Sequence, residues 1–237
     1  EESYKNLGGL VSDARLAGLI DWEAIEDRVR QPHVVQEFND LADLIKVAEV
    51  SYRLPRWKGQ EYYVEVWCEK DALAGVLEPV ARRNHVTMMI NRGYSSQSAM
   101  YEASLRFMAA QRENNQKCVL LYWGDHDPSG EDMVRDVDER LEMFGAWVEV
   151  RKVALTTAQV KIYKPIPNPA KLSDSRAKAY IEKHGNESWE LDALKPEVLQ
   201  RLTQQHLDGL IDRKKMDAVI AREDADKAKL RALGRSK

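Results

Sequence analysis

Gly124-Asp125-His126-Asp127-Pro128-Ser129-Gly130 is the stretch that decides how this chain is read. The apolar run before it, Cys118 to Trp123, has the length and β-rich content of a buried strand. After it, Glu131 to Phe144 places Met133, Val137, Leu141 and Phe144 at helical spacing. Pro128 suits a first helical position, and Ser129 with Asp132 three residues on resembles a capping box. Two aspartates leaving the carboxyl end of a strand can face one crevice and hold a hard cation through oxygen. The same heptapeptide also reads as a plain turn that starts a helix, so the flanking chain must decide.

Working outward, a βα rhythm is evident. Tyr62 to Cys68 reads as a strand, and Asp71 to Arg83 as a helix with Leu73, Val76, Leu77 and Val80 inward and Asp71 as its N-cap. Val86 to Ile90 is the next strand; Ser95 or Ser96 caps a helix running to about Glu113. Trp147 to Val153 is a fourth strand, reached after the helix-stopping Gly145. Such alternation predicts an α/β fold, a Rossmann-like parallel sheet with helices on both faces. Ligands in such sheets sit where strand ends meet helix starts.

Residues 1–55 read as a helical segment. Leu7, Leu10, Val11, Ala14 and Ala17 share a face of one short helix ended by Gly18, Trp22 to Arg30 forms a second helix or turn, and Val35 to Ala48 an amphipathic helix. The α/β unit spans 56–155. Residues 156–237 form a proline connector, Lys164 to Pro169, followed by a helical C-terminal extension with a bend at Gly209 and an exposed helix or fraying tail over the last twenty residues.

The formal net charge is −3, so no global basic field announces nucleic acid, and any such surface must be a local patch. No apolar run reaches the roughly 18 residues that cross a bilayer, which excludes that class of membrane span. Cys68 and Cys118, both inside strand-like runs, read as buried thiols of a reducing, cytoplasmic setting rather than as a disulfide or zinc site.

Three loops would share the crevice. The first strand ends in Trp67-Cys68-Glu69-Lys70-Asp71, the second in Asn91-Arg92-Gly93-Tyr94, the third in Asp125-His126-Asp127. If these edges converge, Glu69, Asp125 and Asp127 gather three carboxylates, a cluster that magnesium would neutralise. His126, alternating between the aspartates, turns away from such a cation and reads as a supporting hydrogen-bonder. Glu131 is either a second layer of support or a solvated acid, and Glu190 and Asp192 either approach the crevice or are surface acids. Lys70 either pairs with a neighbouring carboxylate or touches DNA; Arg92, on the same rim, suits a phosphate. Lys164, Lys171 and Arg176 could form a phosphate-tracking patch around the proline connector.

A strand ending in Glu-Lys-Asp-Ala, then Arg-Gly-Tyr at the next strand end, then Asp-x-Asp-Pro-x-Gly, resembles the Toprim domain of topoisomerases, bacterial primases and several nucleases. The details are most similar to the A subunit of topoisomerase VI and the related meiotic double-strand-break transesterase. The likeness covers about 62–153 and extends weakly to Trp189-Glu190-Leu191-Asp192-Ala193-Leu194. It implies magnesium, with manganese as a substitute, held by Glu69, Asp125 and Asp127, and action on DNA phosphodiesters. It also implies a homodimer, a separate ATPase subunit, and a winged-helix domain of which 1–55 would be the tail. The tyrosine-bearing helix of that domain has no counterpart here, since the surroundings of Tyr4 do not match it. Two alternatives stand beside a type IIB topoisomerase-like enzyme: a Toprim nuclease that uses metal-activated water and forms no tyrosine adduct, and a non-catalytic module that binds DNA or a partner. A nucleotide phosphotransferase is disfavoured by the lack of a Walker-type loop.

Overall fold

The computed structural model describes residues 2–25, 34–91, 93 and 95–235. Arg92 and Tyr94, and most of the segment read as a second helix or turn, lie outside them.

Four strands, β1 (Tyr62–Cys68), β2 (Thr87–Ile90), β3 (Lys117–Trp123) and β4 (Val148–Ala154), form one sheet in the order β2-β1-β3-β4. Every pairing is parallel, with Tyr62 opposite Lys117 and Cys68 opposite Trp123 across the central pair. Parallel neighbours need crossover helices, and the intervening sequence supplies them: α3 (Ala74–Arg83), α4 (Gln97–Asn114) and α5 (Pro128–Met143). The expected α/β class, with helices on both faces of a parallel sheet, is therefore what the chain adopts.

Alternation along the strands sorts the core into two layers. Val64, Val66, Val119, Leu121 and Trp123 face α3 and α8 (Pro196–Asp208), while Trp67, Leu120 and Tyr122 face Met100 and Phe107 of α4 and Met133, Val137 and Leu141 of α5. Both cysteines are buried free thiols, and burial pushes each up to about 12. Glu65 breaks the apolar pattern. It is fully buried among the second layer, held by Arg106 Nε at 2.7 Å and Nη2 at 2.9 Å, with Tyr63 Oη and Trp67 Nε1 each donating at 2.8 Å.

Several local expectations are corrected. The cap of α5 is Asp127, not Ser129: its carboxylate accepts from Gly130 N at 2.6 Å, and Pro128 is the first helical residue. Asp71 opens a 3-10 turn ahead of α3, with Lys70 at the capping position. Ser96 is the serine that caps α4, accepting from Ala99 N at 3.1 Å. The first helix, α1, runs Glu2–Leu16, and Trp22–Ala24 forms a 3-10 turn. The helix read from Val35 begins only at Leu41, as α2 (Leu41–Ser51), because Asp40 caps it there.

Beyond the sheet, α6 (Thr157–Tyr163) leads into the proline connector, where β5 (Asn168–Pro169) pairs antiparallel with β6 (Glu187–Ser188) around α7 (Ala177–His184). Gly209 ends α8 outright rather than bending it, and the charged terminus is a packed helix, α9 (Arg213–Arg235), lying along α2. Its buried Glu223 accepts from Leu54 N at 3.0 Å, Arg56 Nη2 at 3.1 Å and Lys227 Nζ at 2.7 Å, fixing the segment that enters β1.

Candidate functional site

The carboxyl edge of the sheet brings together two of the three carboxylates the sequence singled out. Glu69 follows β1 and Asp125 follows β3, so the central parallel pair delivers them side by side. Asp125 N donates to Glu69 Oε2 at 3.3 Å. Gly124 is what permits this approach, since a Cβ there would stand 2.9 Å from Glu69 Oε2 and 2.8 Å from the Tyr122 ring. Gly130 has the same role within the first turn of α5, where a Cβ would meet the Asp125 carbonyl at 2.3 Å.

Asp125 is 6% exposed. Its Oδ1 accepts from Leu191 N at 2.7 Å and lies 3.1 Å from Lys70 Nζ. Burial raises its pKa, Glu69 adds to the rise by repulsion, and the Leu191 amide and Lys70 oppose it. Burial likewise raises Glu69, and the charge of Asp127 pushes the same way. Glu69 is thus the acid that feels Asp127 and acts on Asp125.

Lys70 is held by Asp125, Glu190 and Asp192, the last at 3.3 Å, and its Nζ also donates to Glu190 Oε2. Burial alone would lower its pKa; the pairing prevails and raises it. Glu190 is lowered, first by the hydrogen bond from Lys70. Of the two roles open to Lys70, pairing with carboxylates is the one the geometry displays. Glu190 and Asp192 do reach the crevice, because their segment is tied to the loop between the aspartates: His126 and Trp189 exchange two backbone hydrogen bonds, at 2.8 and 3.0 Å.

His126 is 1% exposed. Its Nδ1 lies 2.9 Å from Glu131 Oε1 and its Nε2 3.2 Å from Thr157 Oγ1, and its ring stacks on Trp189 with His184 edge-on. The supporting role expected of it is the one it has. Lys152 Nζ, unmarked by sequence reading, donates to Glu131 Oε1 and to the Asp125 carbonyl, both at 2.7 Å. Burial acts to raise Glu131, but the bonds from His126 and Lys152 outweigh it and hold this carboxyl down to about 2. Tyr180, also unmarked, shares its one hydroxyl proton between the His126 and Glu187 carbonyls, at 2.8 and 3.0 Å. Lys152 is one of three charges in its strand, beside Glu149 and Arg151, so nothing in the sequence singles it out, and Tyr180 has no signal either.

The donors suit a hard cation by type. Glu69 and Asp127 each commit one oxygen to a backbone amide, and the other oxygen of each makes no hydrogen bond among the described residues. They are not pre-assembled, however: among the described residues no three His, Cys, Asp or Glu side chains converge to hold a metal ion. Among the described residues the positive charge paired with the Asp125 carboxylate is Lys70. Of the other predicted contacts, Arg176 pairs with Asp174 at 2.7 Å and Asp132 at 3.1 Å, and Lys171 is exposed and close enough to lower Glu190. Neither a scan against protein-family models nor a search of curated proteins finds a match to this chain. Among the described residues no helix is long and apolar enough to cross a membrane.

Proposed function

We propose that this chain is a Toprim-type module acting on DNA phosphodiesters in the manner of a topoisomerase VI A subunit. The observation that carries the reading is the placement of Glu69 and Asp125 at the tips of the two central parallel strands, with Asp127 capping the next helix and Glu69 close enough to both for like-charge repulsion. Glu69, Asp125 and Asp127 would hold magnesium, or manganese in its place. When bound, the ion supplies charge neutralisation to a phosphodiester and its leaving oxygen. The chain's own residues keep the crevice in shape: Lys152 and Tyr180 fix the backbone between the aspartates, Leu191 orients Asp125, and Lys70 competes with any incoming cation for Asp125. DNA would be met by Lys171 and Arg176, with Lys70 and Arg92 as the further contacts the sequence suggests. A second copy of the chain and a separate ATPase subunit are the proposed protein partners, on the resemblance alone.

A nuclease that uses activated water is the second reading, and one observation favours it: the Tyr180 hydroxyl, beside the loop between the aspartates, is spent on two carbonyls. The test is plasmid cleavage with magnesium, run with calorimetric titration of magnesium and manganese. The expected result is metal binding and cleavage by the parent, both lost in Glu69→Ala and in Asp125→Asn proteins that retain the parent's circular dichroism. Variants that bind metal and cleave as the parent does would end the assignment, and a covalent protein–DNA adduct would end the water reading.

A further inference from the structure

The structure holds a second, separate concentration of charge at the opposite edge of the sheet. The helix α3 runs from the tip of β1 back to the amino end of β2, and the segment 51–56 precedes the amino end of β1. Between them and α9 lies an open cleft of about 1330 Å³ whose walls carry Arg53, Arg56, Arg82, Arg83, His85 and Lys227. Among the described residues Glu78 is the single carboxylate on the walls, so five permanent cations face one acid in a chain whose formal net charge is −3. Like charges brought together in this way repel, and their collection in one concave surface is costly unless an anion offsets it.

These cations divide into two groups. Arg56 and Lys227 are bound to Glu223, which lies fully buried beneath them, and they belong to the packing of α9. Arg53, Arg82 and Arg83 pair with no carboxylate among the described residues. Within that same set Arg53 donates only to the Val50 and Tyr52 carbonyls, Arg83 donates to Gln204 at 3.2 Å, and Arg82 makes no hydrogen bond. Arg82 and Arg83 sit at the carboxyl end of α3 and Arg53 donates to carbonyls at the carboxyl end of α2, positions where cations offset a helix dipole, but two separate helix ends do not account for the concavity that collects all three. His85, on the cleft wall, is held below its ordinary pKa by burial and then by Arg56, with Arg53 and Lys227 adding to the effect and Glu223 opposing it.

We infer that this cleft binds a run of phosphates, using Arg53, Arg82 and Arg83 as its contacts. Guanidinium forks match phosphate oxygens in pairs and stay charged at every working pH. Two sources present this chemistry: the backbone of a nucleic-acid strand and the oligophosphate of a free nucleotide. The inference is independent of the carboxylate site, which occupies the other end of the strands.

The test uses the full chain in EDTA, so that no cleavage contributes. Binding is followed by fluorescence anisotropy with a labelled single-stranded oligonucleotide of about 20 nucleotides, and separately with a fluorescent ATP analogue. The variants are Arg53→Ala/Arg82→Ala, which removes no ion pair, and Arg53→Lys/Arg82→Lys, which keeps the charge. The alanine pair is expected to weaken one of the two probes at least tenfold. For the oligonucleotide it should also cut the slope of log K against log salt by about 1.4, two released counterions at roughly 0.7 each. The lysine pair should restore most of both effects. Loss confined to the oligonucleotide identifies a strand as the source, and loss confined to the ATP analogue a free nucleotide. Absence of binding to both probes, or equal binding by parent and alanine pair, overturns the inference. An Asp125→Asn protein that binds as the parent but does not cleave leaves it intact.

Discussion

Replacing Gly130 by alanine tests whether the backbone approach that builds the carboxylate crevice is understood. A Cβ at this position would stand 2.3 Å from the Asp125 carbonyl oxygen and 3.0 Å from its carbon. Ordinary contact needs roughly 3.4 Å or more, so the overlap is on the order of 1 Å, and both sides are backbone. Neither can rotate away. The Asp125 carbonyl is pinned by Lys152 at 2.7 Å, and Gly130 N is pinned by the Asp127 cap at 2.6 Å. Relief therefore requires α5 to move off the strand tip and give up that cap. Overpacking costs about 1–3 kcal/mol and a lost cap about 1 kcal/mol, so Gly130→Ala is expected to lose about 2–4 kcal/mol. At about 2–4 °C per kcal/mol for a chain of this size, Tm falls by about 5–15 °C. Urea unfolding followed by tryptophan fluorescence measures it. The control is Gly59→Ala, where nothing lies within 4 Å of the added atom and no change beyond about 0.5 kcal/mol is expected. A Gly130→Ala protein as stable as the control would refute the geometry of the heptapeptide, and with it the placement of Asp125 and Asp127.

Two further outcomes concern buried charge away from the crevice. Arg106→Ala strips the guanidinium from a fully buried Glu65, leaving only the Tyr63 and Trp67 donors, and should destabilise the fold by about 3 kcal/mol in urea unfolding, whereas an unchanged midpoint would show the pair to be dispensable. Glu223 gives a pH dependence: burial would raise its carboxyl, but hydrogen bonds from Lys227, Arg56 and the Leu54 amide prevail and hold it down to about 2. Its folded pKa lies below the unfolded value of about 4.3, so its stabilisation is complete above that value and is lost as pH falls toward 2. The full effect is at most about 3 kcal/mol. Glu223→Gln should therefore narrow its stability deficit against the parent by roughly that amount between pH 5 and pH 2, and a deficit that stays constant across this range contradicts the assignment.

What the sequence made legible follows from local rules. Strand runs such as Tyr62 to Cys68 and Cys118 to Trp123 are apolar, β-rich and of the right length, so their positions can be read directly. The cap of α5 is open to the same kind of reading. A residue before proline is driven out of the helical region, and Asp127 is extended with φ −143 and ψ 174, so Pro128 itself selects Asp127 over Ser129. Contacts that join distant segments leave no comparable trace. Glu65 and Arg106 are 41 residues apart on different elements, and neither neighbourhood signals the other. Leu191 reaches Asp125 through its backbone amide, a group every residue but proline carries, so no side-chain pattern marks it.

Lys70 shows why a motif alone underdetermines a site. Directly after Glu69 at a strand tip, a lysine is equally suited to a strand of DNA or to a neighbouring acid. Which it meets depends on whether the segment around Trp189 folds back over the crevice. That segment does so because β6 pairs with β5 and the chain then continues into the exchange of hydrogen bonds between His126 and Trp189. The return delivers Glu190 and Asp192 to the Lys70 ammonium and the Leu191 amide to Asp125. The charge state of the crevice is consequently set by a segment more than 60 residues beyond Asp125, and any cation that enters must displace or share an ammonium already held by three carboxylates.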